Sequence, residues 1–236
     1  MKQPNGFILA EFTSAIDGEH CVAILTLKSS NRKTGNMAQV WILRSDVNPV
    51  EAIATGADAS ICGDCPHRKD DQGHRSCYVN VGQSPNGIWK AYKRGIYPRA
   101  FDMLDTVRDA LKGRSIRWGA YGDPGIIPLQ VFEFFNDMAD SHTGYTHQWR
   151  KNFCTVYKKI FQASCDGLQD YLDATAHGWK TFSVAPVGST LPGKQCPATV
   201  QNSSAQCLTC KLCNGAKQDI WVEAHGAGKK YILEQV

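Results

Sequence analysis

The feature that most constrains the fold of this chain is a cysteine-rich segment between Lys194 and Gly215. Its cysteines have the spacing C-x10-C-x2-C-x2-C. Only two residues separate the last three, so their thiolates can turn toward one centre. A fold that contains this segment must therefore wrap it around a shared ligand or bury it as packing. The cysteines concerned are Cys196, Cys207, Cys210 and Cys213.

The spacing predicts a [4Fe–4S] cluster, because a cubane takes four thiolates and a CxxCxxC run with a remote Cys-Pro is a pattern used for it. Here the remote Cys196-Pro197 precedes the triple instead of following it. A tetrahedral zinc ion is the alternative, although it usually takes two separated CxxC-like pairs. Reduced structural cysteines are a third reading. A disulfide framework is not predicted, because the sequence shows no secretory signal.

Another group, here called the first cysteine group because it comes first in the chain, has the spacing C-x2-C-x11-C, and a turn sequence at residues 70–73 would bring its third cysteine back to the first two. Three thiolates are one short of a full metal set. Either His67 or His74 could complete a Cys3His zinc site. Alternatively, a cluster would keep one iron open to a ligand, or the cysteines would bind nothing. The cysteines of this group are Cys62, Cys65 and Cys77.

Composition narrows the class of protein. The chain has 236 residues, of which 42% are hydrophobic, so it can bury a substantial core. No apolar run approaches the roughly 20 residues of a membrane span, and residues 1–11 do not resemble a signal peptide. We therefore expect no membrane partner and a reducing cytoplasm, where ten cysteines suggest metal binding before disulfides. A net charge of +4 argues against strong nucleic-acid binding.

Hydrophobic patterns predict a β-rich beginning followed by alternating strands and helices. Strands are expected at 7–14, 21–28 and 38–44, with a hairpin turn at Asp17-Gly18 and a short helix at 47–54. Later helices are expected at 101–112, 127–140, 151–157 and 168–177. The strands between and after them are expected at 115–121, 144–149, 159–164, 180–186 and 219–225.

This alternation predicts an α/β fold with a mostly parallel sheet. The number of βα units suits a truncated or incomplete (β/α) TIM-like barrel better than a full one, which needs ~250 residues. A doubly wound open sheet is the alternative. We expect residues 1–236 to form one domain, with a β-rich part at 1–56, a cysteine loop and helix at 57–100, and a barrel-like part at 101–236.

Candidate catalytic residues follow from the rule that a βα barrel carries its site at the carboxyl ends of its strands. Asp123 follows one predicted strand, although it could equally cap the next helix. Glu223 and His225 lie two apart on another strand, so they should face the same side as an acid/base or ligand-orienting pair. The pattern predicts that His147 lies inside a strand, on the same face as Tyr145 and Trp149. It fits a hydrogen-bonded core histidine and a catalytic histidine equally well.

Several segments together resemble an uncharacterised family of bacteriophage-encoded proteins. They are I-C-G-D-C-P with S-C-Y-V-N, R-W-G-A-Y-G-D-P, G-Y-T-H-Q-W, and Q-C-P-A-T with C-L-T-C-K-L-C-N-G, and the resemblance spans residues 57–226. The design of a barrel with a cluster is also similar to radical S-adenosylmethionine enzymes. The chain lacks their CxxxCxxC motif. The resemblance therefore implies cluster binding, but it gives no support for S-adenosylmethionine as a cofactor.

These observations predict a viral iron–sulfur protein in the host cytoplasm. Its cluster would serve redox chemistry or bind a small-molecule ligand at the barrel mouth. The rival prediction is a zinc-stabilised module that binds nucleic acid or a host protein and catalyses nothing. The sequence specifies neither a substrate nor a particular host partner.

Overall fold

A computed structural model describes residues 4–226 and 228–232 of the chain. The described residues form ten β-strands, most of them short. The strands are β1 Gly6–Thr13, β2 His20–Thr26, β3 Ala38–Arg44, β4 Ser115–Tyr121, β5 Ser141–Thr143, β6 Tyr145–Thr146, β7 Gln162–Asp166, β8 Thr181–Ala185, β9 Lys194–Gln195 and β10 Ile220–Glu223.

The same residues form eight α-helices and five short 3-10 helices. The α-helices are α1 Pro49–Thr55, α2 Ala59–Cys62, α3 Ser84–Lys93, α4 Leu104–Leu111, α5 Leu129–Asn136, α6 Leu168–Ala176, α7 Cys207–Cys210 and α8 Lys229–Ile232. The 3-10 helices are Ala100–Met103, Pro124–Ile126, Gln148–Arg150, Asn152–Tyr157 and Pro197–Thr199. None of these helices is long and apolar enough to cross a membrane.

The strands form two five-stranded sheets, which confirms the α/β prediction. The first has the order β1-β2-β3-β4-β5, with β1, β2 and β3 antiparallel and β3, β4 and β5 parallel. The second has the order β6-β7-β8-β10-β9 and is parallel throughout. Among the described strands, no pairing joins β1 to β9, so the sheets do not close into a barrel.

The two sheets meet where the chain passes from β5 to β6. A single residue, Gly144, separates these strands, and its carbonyl accepts a hydrogen bond of 3.0 Å from the Gln162 N–H of β7. One hydrophobic cluster contains residues from both sheets, among them Phe7, Ile116, Phe161 and Cys165. The sheets therefore share one core.

The N-terminal strands, the hairpin and α1 lie where the hydrophobic pattern predicts them. The strand predicted at 144–149 is wrong beyond Thr146, because His147 follows β6 and Trp149 lies in a 3-10 helix. The strand ends early because side-chain oxygens compete with the neighbouring strand for the backbone N–H groups that follow Thr146. Asp123 accepts the His147 N–H at 2.7 Å, and the Thr146 hydroxyl accepts the Gln148 N–H at 2.9 Å. These N–H groups are therefore not available for the inter-strand hydrogen bonds of a longer strand.

Helix α5 defines one face of the first sheet. The Phe132 ring of α5 lies 5.0 Å from the Trp118 ring of β4, and Asn136 accepts a hydrogen bond from the Trp118 indole N–H. Successive strand residues point to opposite faces. Arg117, next to Trp118, therefore faces away from α5. The cysteine-rich segment between Lys194 and Gly215 packs on the face that carries Arg117.

Candidate metal and cofactor sites

The first cysteine group lies in the loop that follows α2. Cys62 is the last residue of α2, and the Cys65 N–H donates to the Cys62 carbonyl at 3.2 Å. The chain then reverses in the predicted turn, where the Gly73 N–H donates to the Asp70 carbonyl at 3.0 Å. Cys77 returns with its N–H bonded to the His67 carbonyl at 3.0 Å. The turn therefore brings the third cysteine back to the first two.

The three cysteines of this group are all partly buried. Burial raises the pKa of the Cys62 thiol well above its usual value, and the neighbouring Cys65 and Cys77 raise it further. Burial likewise raises the pKa of Cys77. Neighbouring thiolates repel one another, so a bound cation would stabilise their ionised form.

His147 is the residue that sequence reasoning missed as a neighbour of these thiols. Burial lowers the pKa of its imidazole, but contact with Cys65 and with Asp166 outweighs this and raises it well above the usual value. Its Nε2 lies 3.2 Å from Asp166 Oδ2. Cys62, Cys65, Cys77 and His147 together offer three sulfurs and one nitrogen, a combination of donors that zinc sites use. No three of these residues bring ligand atoms within 4.8 Å of one another. Asp166 contacts His147 as an orienting carboxylate commonly does.

The two histidines proposed from the sequence lie elsewhere in the loop. Nε2 of His67 is 2.8 Å from Asp166 Oδ1, and its Nδ1 is 2.8 Å from the Ser76 hydroxyl. Both ring nitrogens are thus engaged away from the cysteines. His74 stacks on Tyr231 with ring centroids 4.4 Å apart. His67 instead contacts Oδ1 of Asp166, whereas His147 contacts Oδ2.

A second combination of donors includes the same histidine. His67, His147 and Asp166 each offer one ligand atom, and these atoms lie within 4.8 Å of one another. Burial raises the pKa of Asp166, but hydrogen bonds from His147 and His67 outweigh it and hold that pKa well below its usual range. The ionised carboxylate therefore holds both imidazoles in place beside the cysteines.

Asp123 is a positioning residue in this structure. Its side chain is buried, and it accepts hydrogen bonds from the Gly125 N–H at 2.8 Å and from the His147 N–H at 2.7 Å. It caps the 3-10 helix Pro124–Ile126, which is the capping alternative considered from the sequence. Both carboxylate oxygens are thus used to fix backbone, and one of them fixes His147.

The second cysteine group surrounds a single small cavity. Cys196, Cys207, Cys210 and Cys213 all line it, together with Thr143 and Ile220 from the sheet. Burial raises the pKa of Cys213 well above its usual value, and Cys207, Cys196 and Cys210 raise it further. All four thiols line one cavity, but no three of their sulfurs lie within 4.8 Å of one another.

Backbone hydrogen bonds attach this segment to the rest of the fold at three places. The Cys196 N–H donates to the Trp221 carbonyl of β10 at 2.8 Å. The Cys207 N–H donates to the Lys33 carbonyl at 2.9 Å, and the Gly144 N–H donates to the Cys213 carbonyl at 3.0 Å. The cysteines are thus held against both sheets and against the loop that follows β2.

Arg117 provides positive charge beside the second group. Its guanidinium donates to the Tyr145 hydroxyl at 3.1 Å. Burial raises the pKa of Cys207, and Arg117 is the largest influence that lowers it. A guanidinium in this position partly offsets the negative charge of clustered thiolates.

Glu223 and His225 are engaged with different partners. β10 ends at Glu223, whose carboxylate accepts the Gly188 N–H at 2.8 Å. His225 lies beyond the strand, stacks on Tyr78 at 4.7 Å and has its Nε2 3.0 Å from Lys33 Nζ. The geometry therefore gives no support to their acting as an acid/base pair.

No family model matches the chain, and no curated protein and no solved structure is significantly similar to it. The site residues are therefore interpreted from their own geometry and chemistry.

Proposed function

We propose that the protein is an iron–sulfur protein whose [4Fe–4S] cluster is held by Cys196, Cys207, Cys210 and Cys213. The observation that supports this most strongly is that all four partly buried thiols line one cavity. Their spacing presents three thiolates from one short segment, as the corners of a cubane require, and the fourth comes from a Cys-Pro outside it. Such a cluster supplies one-electron transfer.

The first cysteine group is the second metal centre of the proposal. We infer that Cys62, Cys65, Cys77 and His147 hold it, with Asp166 and His67 orienting His147. It lies beyond the carboxyl ends of β4, β6 and β7, where α/β proteins commonly bind ligands. Redox or small-ligand chemistry at this edge is the activity we propose. The mostly parallel sheets, which do not close, are consistent with a truncated (β/α) barrel.

A zinc-stabilised module that binds nucleic acid or a host protein is the second candidate. The cavity among the four C-terminal cysteines has a volume of only ≈ 20 Å³, which is room for about one water molecule. The small volume favours a single zinc ion over a larger group, although no three of these four sulfurs lie within 4.8 Å of one another, as they do around a tetrahedral ion. The donor set of the first group also suits zinc.

A cysteine exchange tests the cluster assignment. In protein purified without oxygen, Cys213→Ser should lose most of the iron and acid-labile sulfide, because one of four thiolates is removed. Cys154→Ser is the control, since Cys154 is a fully buried core thiol that hydrogen-bonds to Thr146 and does not line the cavity. The assignment is wrong if Cys213→Ser keeps the iron and sulfide of the control.

A further inference from the structure

A second, larger cavity of ≈ 400 Å³ lies on the first sheet beside the C-terminal cysteine site. Thr26 pairs with Gln39, and Gln39 pairs with Arg117, across β2, β3 and β4. Residues paired in this way share one face of a sheet. All three line the cavity, which therefore lies on the face that points away from α5.

The lining of this cavity, here called the anion pocket, carries positive charge without compensating carboxylates. Lys28 and Arg117 are its charged residues, and no aspartate or glutamate is among the described residues that line it. The neutral polar residues in the lining are Asn5, Thr26, Ser29, Ser30, Asn31, Gln39 and Ser84, although the Gln39 amide already donates to Thr34 and Met37. This combination favours a negatively charged ligand with several oxygen atoms.

Two further features favour a ligand of small organic size. Trp41 and Tyr97 supply aromatic surface, and the Trp41 ring is fixed by its indole N–H, which donates to the Thr26 hydroxyl at 2.9 Å. The first turn of α3 also reaches the pocket through Ser84 and Gly87. The N-terminal end of a helix carries partial positive charge, which adds to that of the two cations.

The loop that forms one wall of the pocket is tied to the cysteine segment. The Gln206 side-chain amide donates to the Arg32 carbonyl at 3.0 Å, and the Leu208 N–H donates to the Thr34 carbonyl at 3.2 Å. Arg117 pairs across the sheet with Thr143, which lines the cysteine cavity. The anion pocket and the proposed cluster site are therefore neighbours on one face, with Arg117 between them.

We propose that the anion pocket binds a small organic oxyanion, a phosphate ester or a carboxylate, with its charged group between Arg117 and Lys28. No cysteine is among the described residues of the lining, so the anion would contact none of the proposed cluster ligands. If the cluster is present, the anion is the small-molecule ligand held next to it.

Calorimetric titration of the purified full chain tests this proposal with adenosine monophosphate and citrate as probes and uncharged adenosine as the reference. We expect at least one anionic probe to bind and adenosine to bind more weakly. Lys28→Glu should lower the affinity for that probe at least about tenfold, because it replaces a favourable charge contact with a repulsive one. Lys112→Glu is the matched control, since it changes the net charge equally from the exposed end of α4.

Two results would overturn the proposal. One is that neither anionic probe binds the wild-type protein at millimolar concentration. The other is that Lys28→Glu and Lys112→Glu bind the probe equally well. Iron and zinc are measured on the same samples, so that the two proposals can fail separately. A protein that binds the probe but contains no metal contradicts only the cluster. A protein that contains the metal but does not bind the probe contradicts only the anion pocket.

Discussion

Replacing Gly215 with alanine should destabilise the protein by about 3 kcal/mol or more and release metal from the C-terminal cysteines. Gly215 has φ +75°, a conformation that costs energy for a residue with a side chain. An added Cβ would lie 2.6 Å from the backbone nitrogen of Phe161, which cannot move as a side chain could. Because Cys213 is two residues away, the displacement would pull it from the other thiols.

The matched control is Gly188→Ala. Gly188 has φ +80°, but no atom lies within 4 Å of the position that a Cβ would take. This variant carries only the conformational cost, about 1 kcal/mol. Urea unfolding and iron content should therefore separate the two variants. Equal losses of stability in both would show that the close approach of Gly215 to the β6–β7 region is not important.

Replacing His147 with alanine should reduce metal affinity at the first cysteine group by more than about 100-fold. Loss of a residue that hydrogen-bonds to a metal ligand typically lowers metal affinity 10–100-fold, and loss of the ligand itself should lower it more. His67→Ala removes a hydrogen-bond partner of Asp166, so it should lower metal affinity by no more than about 10–100-fold. His74→Ala should have no effect, because that side chain stacks on Tyr231.

The measurement is a competition titration with a chelator, made in a Cys213→Ser background so that the remaining metal belongs to the first group. Circular dichroism of each variant checks that it is folded. If His74→Ala or His67→Ala releases the metal and His147→Ala retains it, the fourth ligand has been assigned to the wrong residue.

Local patterns were sufficient for much of the fold. β1, β2 and β3 follow from runs of apolar residues, and their hairpin follows from the turn sequence at Asp17-Gly18. The alternation after residue 101 predicted parallel strands, because helices between strands allow them. β9 has only two residues and carries no pattern that sequence reasoning could use.

The two cysteine sets could be proposed from the sequence, because two-residue spacings place neighbouring thiols close along the chain. His147 could not be added to them, because it lies 70 residues beyond Cys77 and reaches the cysteines only through tertiary contacts. Asp123 fixes its backbone and Asp166 approaches its ring. The apolar alternation around it predicted a strand, and side-chain hydrogen bonds ended that strand early. The pairing of Gln39 with Arg117 likewise depends on sheet register, which a single sequence does not reveal.

The most direct test of the central claim is metal and sulfide analysis of the wild-type protein, purified without oxygen. We predict a brown protein with broad visible absorption and about four iron and four acid-labile sulfide per chain at the C-terminal cysteines, with one further metal centre at the first group. A colourless protein that contains zinc but neither iron nor acid-labile sulfide would contradict the claim and would leave the zinc-stabilised module as the account of both cysteine groups.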